Sequence, residues 1–103
     1  MQQMDKYDVL ISPVAQSDLL GIFEYLATLI PEEATQYYER FMKESETLRT
    51  APKDCPLARD SQLRLRGYRV LTTEDYLLFF IISGSHVEIR RVLHAKHRYD
   101  RLV

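Results

Sequence analysis
A chain of 103 residues, 46% hydrophobic and 28% charged with only 3 Gly and 4 Pro, can close one core and has no room for a second, so a single domain over 1–103 is expected. No apolar run approaches the ~18 residues of a membrane span, and Met1-Gln2-Gln3-Met4-Asp5-Lys6 lacks the apolar stretch of a signal peptide, which makes a cytoplasmic protein without membrane contact the expectation. The net charge of −1 hides a split, since residues 1–58 carry ten acids against five bases and residues 59–103 carry nine bases against five acids. That split points to a polyanion or an acidic partner for the second half, or to charges solvated on two sides of a small fold.

In chain order, Tyr7 to Ile11 reads as a short strand with Tyr7, Val9 and Ile11 on one face. Ser12-Pro13 announces a helix, because a serine hydroxyl satisfies the first-turn N–H groups and proline at the first helical position sacrifices no hydrogen bond. Ala15, Leu19, Ile22, Phe23, Leu26 and Leu29 or Ile30 recur at three and four residues and form its apolar stripe, with Gln16, Asp18 and Glu24 falling elsewhere. Pro31 opens a second helix with Glu32 and Glu33 near its positive end, and Ala34, Tyr37, Tyr38, Phe41, Ser45 and Leu48 are its buried side. So short a connection makes the helices antiparallel neighbours that need a sheet to cover.

Ala51 to Gln62 reads as a loop containing the lone Cys55, an ordinary thiol between Asp54 and Pro56. Strands are predicted near Leu63–Thr72, Tyr76–Ser83 and His86–His94, with turns at Thr73-Glu74-Asp75 and Ser83-Gly84-Ser85. Tyr76 to Ile82 is apolar on both faces and should be a central strand. The expected architecture is α+β, in the order β-α-α-β-β-β, a helical hairpin packed on a mostly antiparallel four-stranded sheet. Its predicted core is Leu19, Ile22, Phe23, Leu26, Tyr38, Phe41, Leu48, Leu78, Phe80 and Ile89.

Asp18-Leu19 and Ile22 to Tyr25 on the first helix, Tyr68-Arg69-Val70-Leu71 on a strand, and Ile89-Arg90-Arg91-Val92-Leu93-His94 followed by Arg98-Tyr99-Asp100 together resemble the RelE/ParE family of bacterial toxins, over nearly the whole chain. The resemblance implies the toxin of a type II toxin–antitoxin pair of the plasmid-stabilisation kind, silenced by a cognate antitoxin. RelE-like members cleave ribosome-bound messenger RNA without a metal, whereas ParE-like members inhibit DNA gyrase.

The chemistry of RNA cleavage asks for a base at the 2′-hydroxyl, cations on the phosphorane and an acid for the leaving oxygen. His94 and His97 exchange protons near neutral pH, and Arg69, matching the family's strand arginine, can clamp phosphate with Arg90 or Arg91. Tyr99 can stack on a base or orient the phosphate, as the C-terminal tyrosine of RelE-like toxins does. Arg69, Arg90, His94, His97 and Tyr99 are thus the candidate catalytic set, expected to converge on one surface. Arg59, Arg64, Arg66, Arg91, Lys96 and Arg98 are candidates for binding RNA or a partner.

Strict alternation along the last strand puts Arg90 and His94 on a surface face and leaves Arg91 beside an acid or turned to an edge. No metal or other cofactor is expected, because the histidines lack a recognisable ligand set. Cleavage in the ribosome is narrowly favoured by this tail. Gyrase inhibition is the alternative, supported by the helical hairpin with its paired tyrosines, and an inactive homologue that only binds antitoxin is the third.

Overall fold
The computed structural model describes residues 6–73 and 76–94. Its elements are β1 (Asp8–Ile11), α1 (Pro13–Leu29), α2 (Pro31–Thr47), a 3-10 turn at Pro52–Asp54, α3 (Ser61–Leu65), β2 (Arg69–Thr72), β3 (Tyr76–Ser83) and β4 (His86–His94). The sheet order is β1-β4-β3-β2, with β2–β3 and β3–β4 antiparallel and β1–β4 parallel. It is a helical hairpin on a mostly antiparallel four-stranded sheet, and β3 is central.

The helix boundaries follow from the residues that punctuate them. Ser12 accepts a hydrogen bond from the Ala15 N–H through its hydroxyl, and that hydroxyl also donates to the Arg90 carbonyl, tying the start of α1 to β4. Ile30 alone separates the helices, and Pro31 starts α2. Ala15, Leu19, Ile22 and Leu26 of α1 with Ala34, Tyr37 and Phe41 of α2 pack on Tyr76, Leu78, Phe80, Val87, Ile89 and Val92 of the sheet.

Two details of the sequence reading change. Tyr38 is exposed and rests edge-on against the half-buried Phe23, while its neighbour Tyr37 is the buried ring. The spacing Ala34, Tyr37, Phe41, Ser45, Leu48 keeps one stripe, and Tyr38 falls about 100° beyond Tyr37 around the helix. The predicted strand Leu63–Thr72 is also shorter, running only over Arg69–Thr72. Its first part is helical because Asp60 caps Leu63 N–H at the start of α3, and Gly67, at φ +86°, ends it. Tyr68 N–H reaches the Leu63 carbonyl and Gly67 N–H the Arg64 carbonyl, the paired bonds of a Schellman stop. Gly67 is therefore a helix terminator.

α3 and the Ala58 segment cover the other face of the sheet, over Leu77, Phe79 and Leu93, so both faces of the central strand are buried. A bulge does occur, on β4. Phe79 pairs with Arg91 and Phe80 with Ile89, so Arg90 is the extra residue.

Candidate functional site
The bulge determines what β4 presents. Below it Val87 and Ile89 face the hairpin; above it Val92 joins the same core, while Leu93 packs on the α3 side. Strict alternation fails here, and Arg90 and Arg91, adjacent at the bulge, reach in different directions. Arg91 donates from Nε to Asp18 Oδ2 at 2.7 Å and from one Nη to Oδ1 at 3.1 Å. The same Oδ2 accepts the Val92 N–H at 3.0 Å. β1 stops opposite Ile89, so the carboxylate of Asp18 occupies the place that a longer first strand would take along β4. The Asp18 hydrogen bond is also the main reason the Arg91 guanidinium is held still more firmly protonated than usual.

Arg91 beside an acid is as the sequence suggested; Asp18 on the outward side of α1 is not. Its carboxylate is largely covered and faces the sheet edge. Sequence reasoning missed Asp18 as a partner, although an acid at the margin of an apolar stripe is the available signal.

Arg90 takes the other direction. Its Nε donates to Glu88 Oε1 at 2.7 Å, and that bond, with Tyr68 adding to it, pushes the Arg90 pKa up. Arg90, Arg91, Arg66, Tyr68, Glu88, Ser12, Val14 and Leu63 line an open hollow of about 410 Å³ beside α3. His94 goes elsewhere, stacking on Tyr37 with ring planes 9° apart and lining a second hollow with Asp18, Tyr25 and Arg91 on the α1 side.

Arg69 sits apart from both. It lies on β2 opposite Phe80 and donates to the Cys55 carbonyl at 2.6 Å and the Lys53 carbonyl at 3.4 Å, pinning the chain that leaves α2. Cys55 is half-buried there, and burial raises its thiol pKa, which suits an unreactive side chain. Arg64 is likewise turned onto backbone carbonyls, those of Ala58 and Arg59. Arg59 is exposed just ahead of α3, and Arg66 just after it.

The expected convergence of Arg69, Arg90 and His94 on one surface is thus not what the described residues form. Arg69 buttresses a loop, Arg90 faces the α3 side, and His94 faces the hairpin. His97, Tyr99, Lys96 and Arg98 lie outside the described residues.

A wide apolar groove lies on the hairpin itself. Leu19, Leu20, Phe23, Tyr38, Met42, Gln16 and Ile11 line about 530 Å³ between the helices beside β1, and Leu20, Tyr38 and Met42 are 57%, 44% and 47% exposed. Large apolar side chains gathered this way mark a contact surface.

Comparison with known proteins gives a consistent result. The family described as the ParE toxin of the type II toxin–antitoxin system parDE matches residues 9–99. The fold is similar to a chromosomal ParDE toxin–antitoxin system from P. aeruginosa, with a TM-score of 0.73 at 22% identity over 88% of this chain and 98% of that one. It is also similar to the RelBE2 toxin–antitoxin complex from Mycobacterium tuberculosis, with a TM-score of 0.60 at 24% identity over 94% of this chain and 100% of that one. No curated protein matches the chain.

Proposed function
Because the chain belongs to the ParE toxin family of type II toxin–antitoxin systems, we propose that it arrests growth by binding and inhibiting DNA gyrase and that a cognate antitoxin silences it. The observation that carries this reading is the dispersal of Arg69, Arg90 and His94. Metal-free cleavage of RNA depends on acid, base and phosphate-binding groups held within hydrogen-bond reach of one reacting phosphate. Here Arg69 is committed to loop carbonyls, Arg90 to Glu88, and Arg91 to Asp18 on α1. Inhibition by binding needs surface instead, and the exposed apolar side chains of the hairpin supply it.

One observation favours RNA cleavage as the second reading: His94 lines a hollow with Arg91 and Asp18, a proton carrier beside a cation. Induction of the toxin followed by parallel assays separates the two. Under the gyrase reading, supercoiling by purified gyrase falls, messenger RNA on ribosomes stays whole, and His94→Gln remains toxic. Cleaved messenger RNA with normal supercoiling, and a loss of roughly 10²-fold or more in cleavage for His94→Gln, would replace it with the nuclease reading.

For the antitoxin, the hairpin groove is the fitting seat, since an amphipathic helix places residues at three- and four-residue spacing into such a slot. Leu20→Lys combined with Met42→Lys puts two ammonium groups among the apolar contacts while leaving the core untouched. Antitoxin affinity is expected to drop about 100-fold or more by titration calorimetry, as for truncation of central interface anchors. An unchanged Kd would move the antitoxin to another face.

A further inference from the structure
We propose that a second copy of this chain is a further partner, held head to tail by the basic α3 segment of one copy on the acidic tip of the next copy's helical hairpin. This association goes beyond the antitoxin and gyrase contacts proposed above. Its two surfaces lie on opposite layers of the fold. α3 and the Ala58 segment cover one face of the sheet and the hairpin covers the other, so one chain cannot bring them together by itself.

The α3 surface is a cationic knob. Leu65 is 86% exposed at the end of α3, and Leu57 is exposed shortly before it. A lone exposed leucine is ordinary, but this one stands between Arg64 and Arg66, with Arg59 just ahead of the same short helix. Asp60, the single acid from Arg59 to Arg66, commits its carboxylate to the Leu63 N–H. Arg64 is held on the Ala58 and Arg59 carbonyls, whereas Arg59 and Arg66 make no ion pair among the described residues.

The tip of the hairpin is the complement. Tyr25 and Leu29 stand one turn apart on α1, Ile30 follows at the junction, and all three are more than half exposed. Glu32 and Glu33, in the first turn of α2, border Ile30. Neither they nor Glu24 meet a base among the described residues, and Arg40 and Lys43 lie farther along α2. An apolar patch beside free acids and an apolar knob beside free bases attract one another and lose exposed leucine and tyrosine surface on contact.

Both halves of this match are carried by every copy. Because the two surfaces differ, the contact is heterologous, and each added copy offers the same two ends to the next. The groove lined by Leu20, Phe23, Tyr38 and Met42 lies on other residues of the hairpin, so the antitoxin's seat is not the one that self-association takes.

The test is sedimentation velocity of the full chain from about 1 to about 500 µM. The sedimentation coefficient is expected to rise with concentration, half-complete at roughly 100 µM or below as for a small transient interface, and to fall back in about 0.5 M salt. Leu65→Glu with Arg66→Glu, and separately Leu29→Lys with Glu33→Lys, should each weaken association at least 10-fold. Mixed in equal amounts, the two variants should form a one-to-one dimer and stop there, since each keeps the surface the other has lost. Circular dichroism melts check that the variants fold, and Leu65→Ser and Leu29→Ser alone take their place if they do not. The proposal is overturned if the unaltered chain sediments as a monomer throughout, if either variant associates as the unaltered chain does, or if the mixture stays monomeric. Antitoxin titrations of the same variants report on the groove, so either reading falls without the other.

Discussion
Phe80→Ala is expected to destabilise the protein by about 3–5 kcal/mol, read as a lower midpoint in urea denaturation with an unchanged slope. The ring is completely buried on the hairpin side of the central strand, and its backbone is paired on both sides, with Arg69 on β2 and Ile89 on β4. Neighbours so fixed cannot collapse into the space, so the loss includes the cavity as well as the transfer of the ring out of the core. A domain of this size has about 5–15 kcal/mol in total, and the variant should be partly unfolded at growth temperature and lose toxicity through abundance alone. Tyr38→Ala is the informative companion. Its ring is exposed and meets Phe23 only edge-on, so a cost of about 1 kcal/mol or less is expected. Equal losses at the two positions would contradict the stripe that places Tyr37 inward.

Asp18→Ala should cost about 2–3 kcal/mol, more than an ordinary surface ion pair, because one carboxylate serves three donors. Without it the largely covered guanidinium of Arg91 loses the carboxylate that takes two of its donors, and the Val92 N–H loses its acceptor at a strand edge. Arg91→Met in the Asp18→Ala background removes the charge that Asp18 balanced and should recover part of the loss. A double-mutant cycle in chemical denaturation measures that coupling. Coupling near zero would mean that the pair is an ordinary surface contact.

Much of the fold was readable because its signals are local. Ser12-Pro13 and Pro31 fix where the helices begin, and an uninterrupted apolar run from Tyr76 to Ile82 identifies the strand buried on both faces. The errors arose where two local signals competed. Leu63-Arg64-Leu65-Arg66 alternates like a strand, yet Asp60 and Gly67 bracket it as a helix, and the capping groups prevail because each satisfies backbone donors or acceptors that alternation leaves unpaired. Tyr37 and Tyr38 are adjacent and alike, and only the helical angle separates the buried one from the exposed one.

The candidate site was less legible for a different reason. Arg69, Arg90 and His94 have the residue types that phosphate chemistry needs, but a single extra residue in β4 re-aims everything above it, and nothing in Glu88-Ile89-Arg90-Arg91-Val92 announces where that residue falls. The carbonyls that hold Arg69 come from a loop without periodicity. Which arginine buttresses the fold and which meets a partner depends on these non-local contacts. The family match over residues 9–99, reached independently of that detail, agrees with the toxin class that the order and spacing of motifs implied.

The parallel pairing of β1 with β4 bears on how the protein is made. Asp8 finds its partner at His86 and Ile11 at Ile89, so the first strand synthesised waits for the last. Contacts this distant along the chain are slow to form, since most of the chain must be ordered before they close. While the polypeptide is being translated, the helical hairpin can form early, but Val87, Ile89 and Val92, which complete its apolar bed, follow only after α3, β2 and β3. A chain that stops short of β4 therefore lacks the strand on which the hairpin and β1 both rest, and a nonsense codon upstream of β4 is expected to yield a fragment that does not fold. The sheet topology makes the assembly of the whole fold wait for β4.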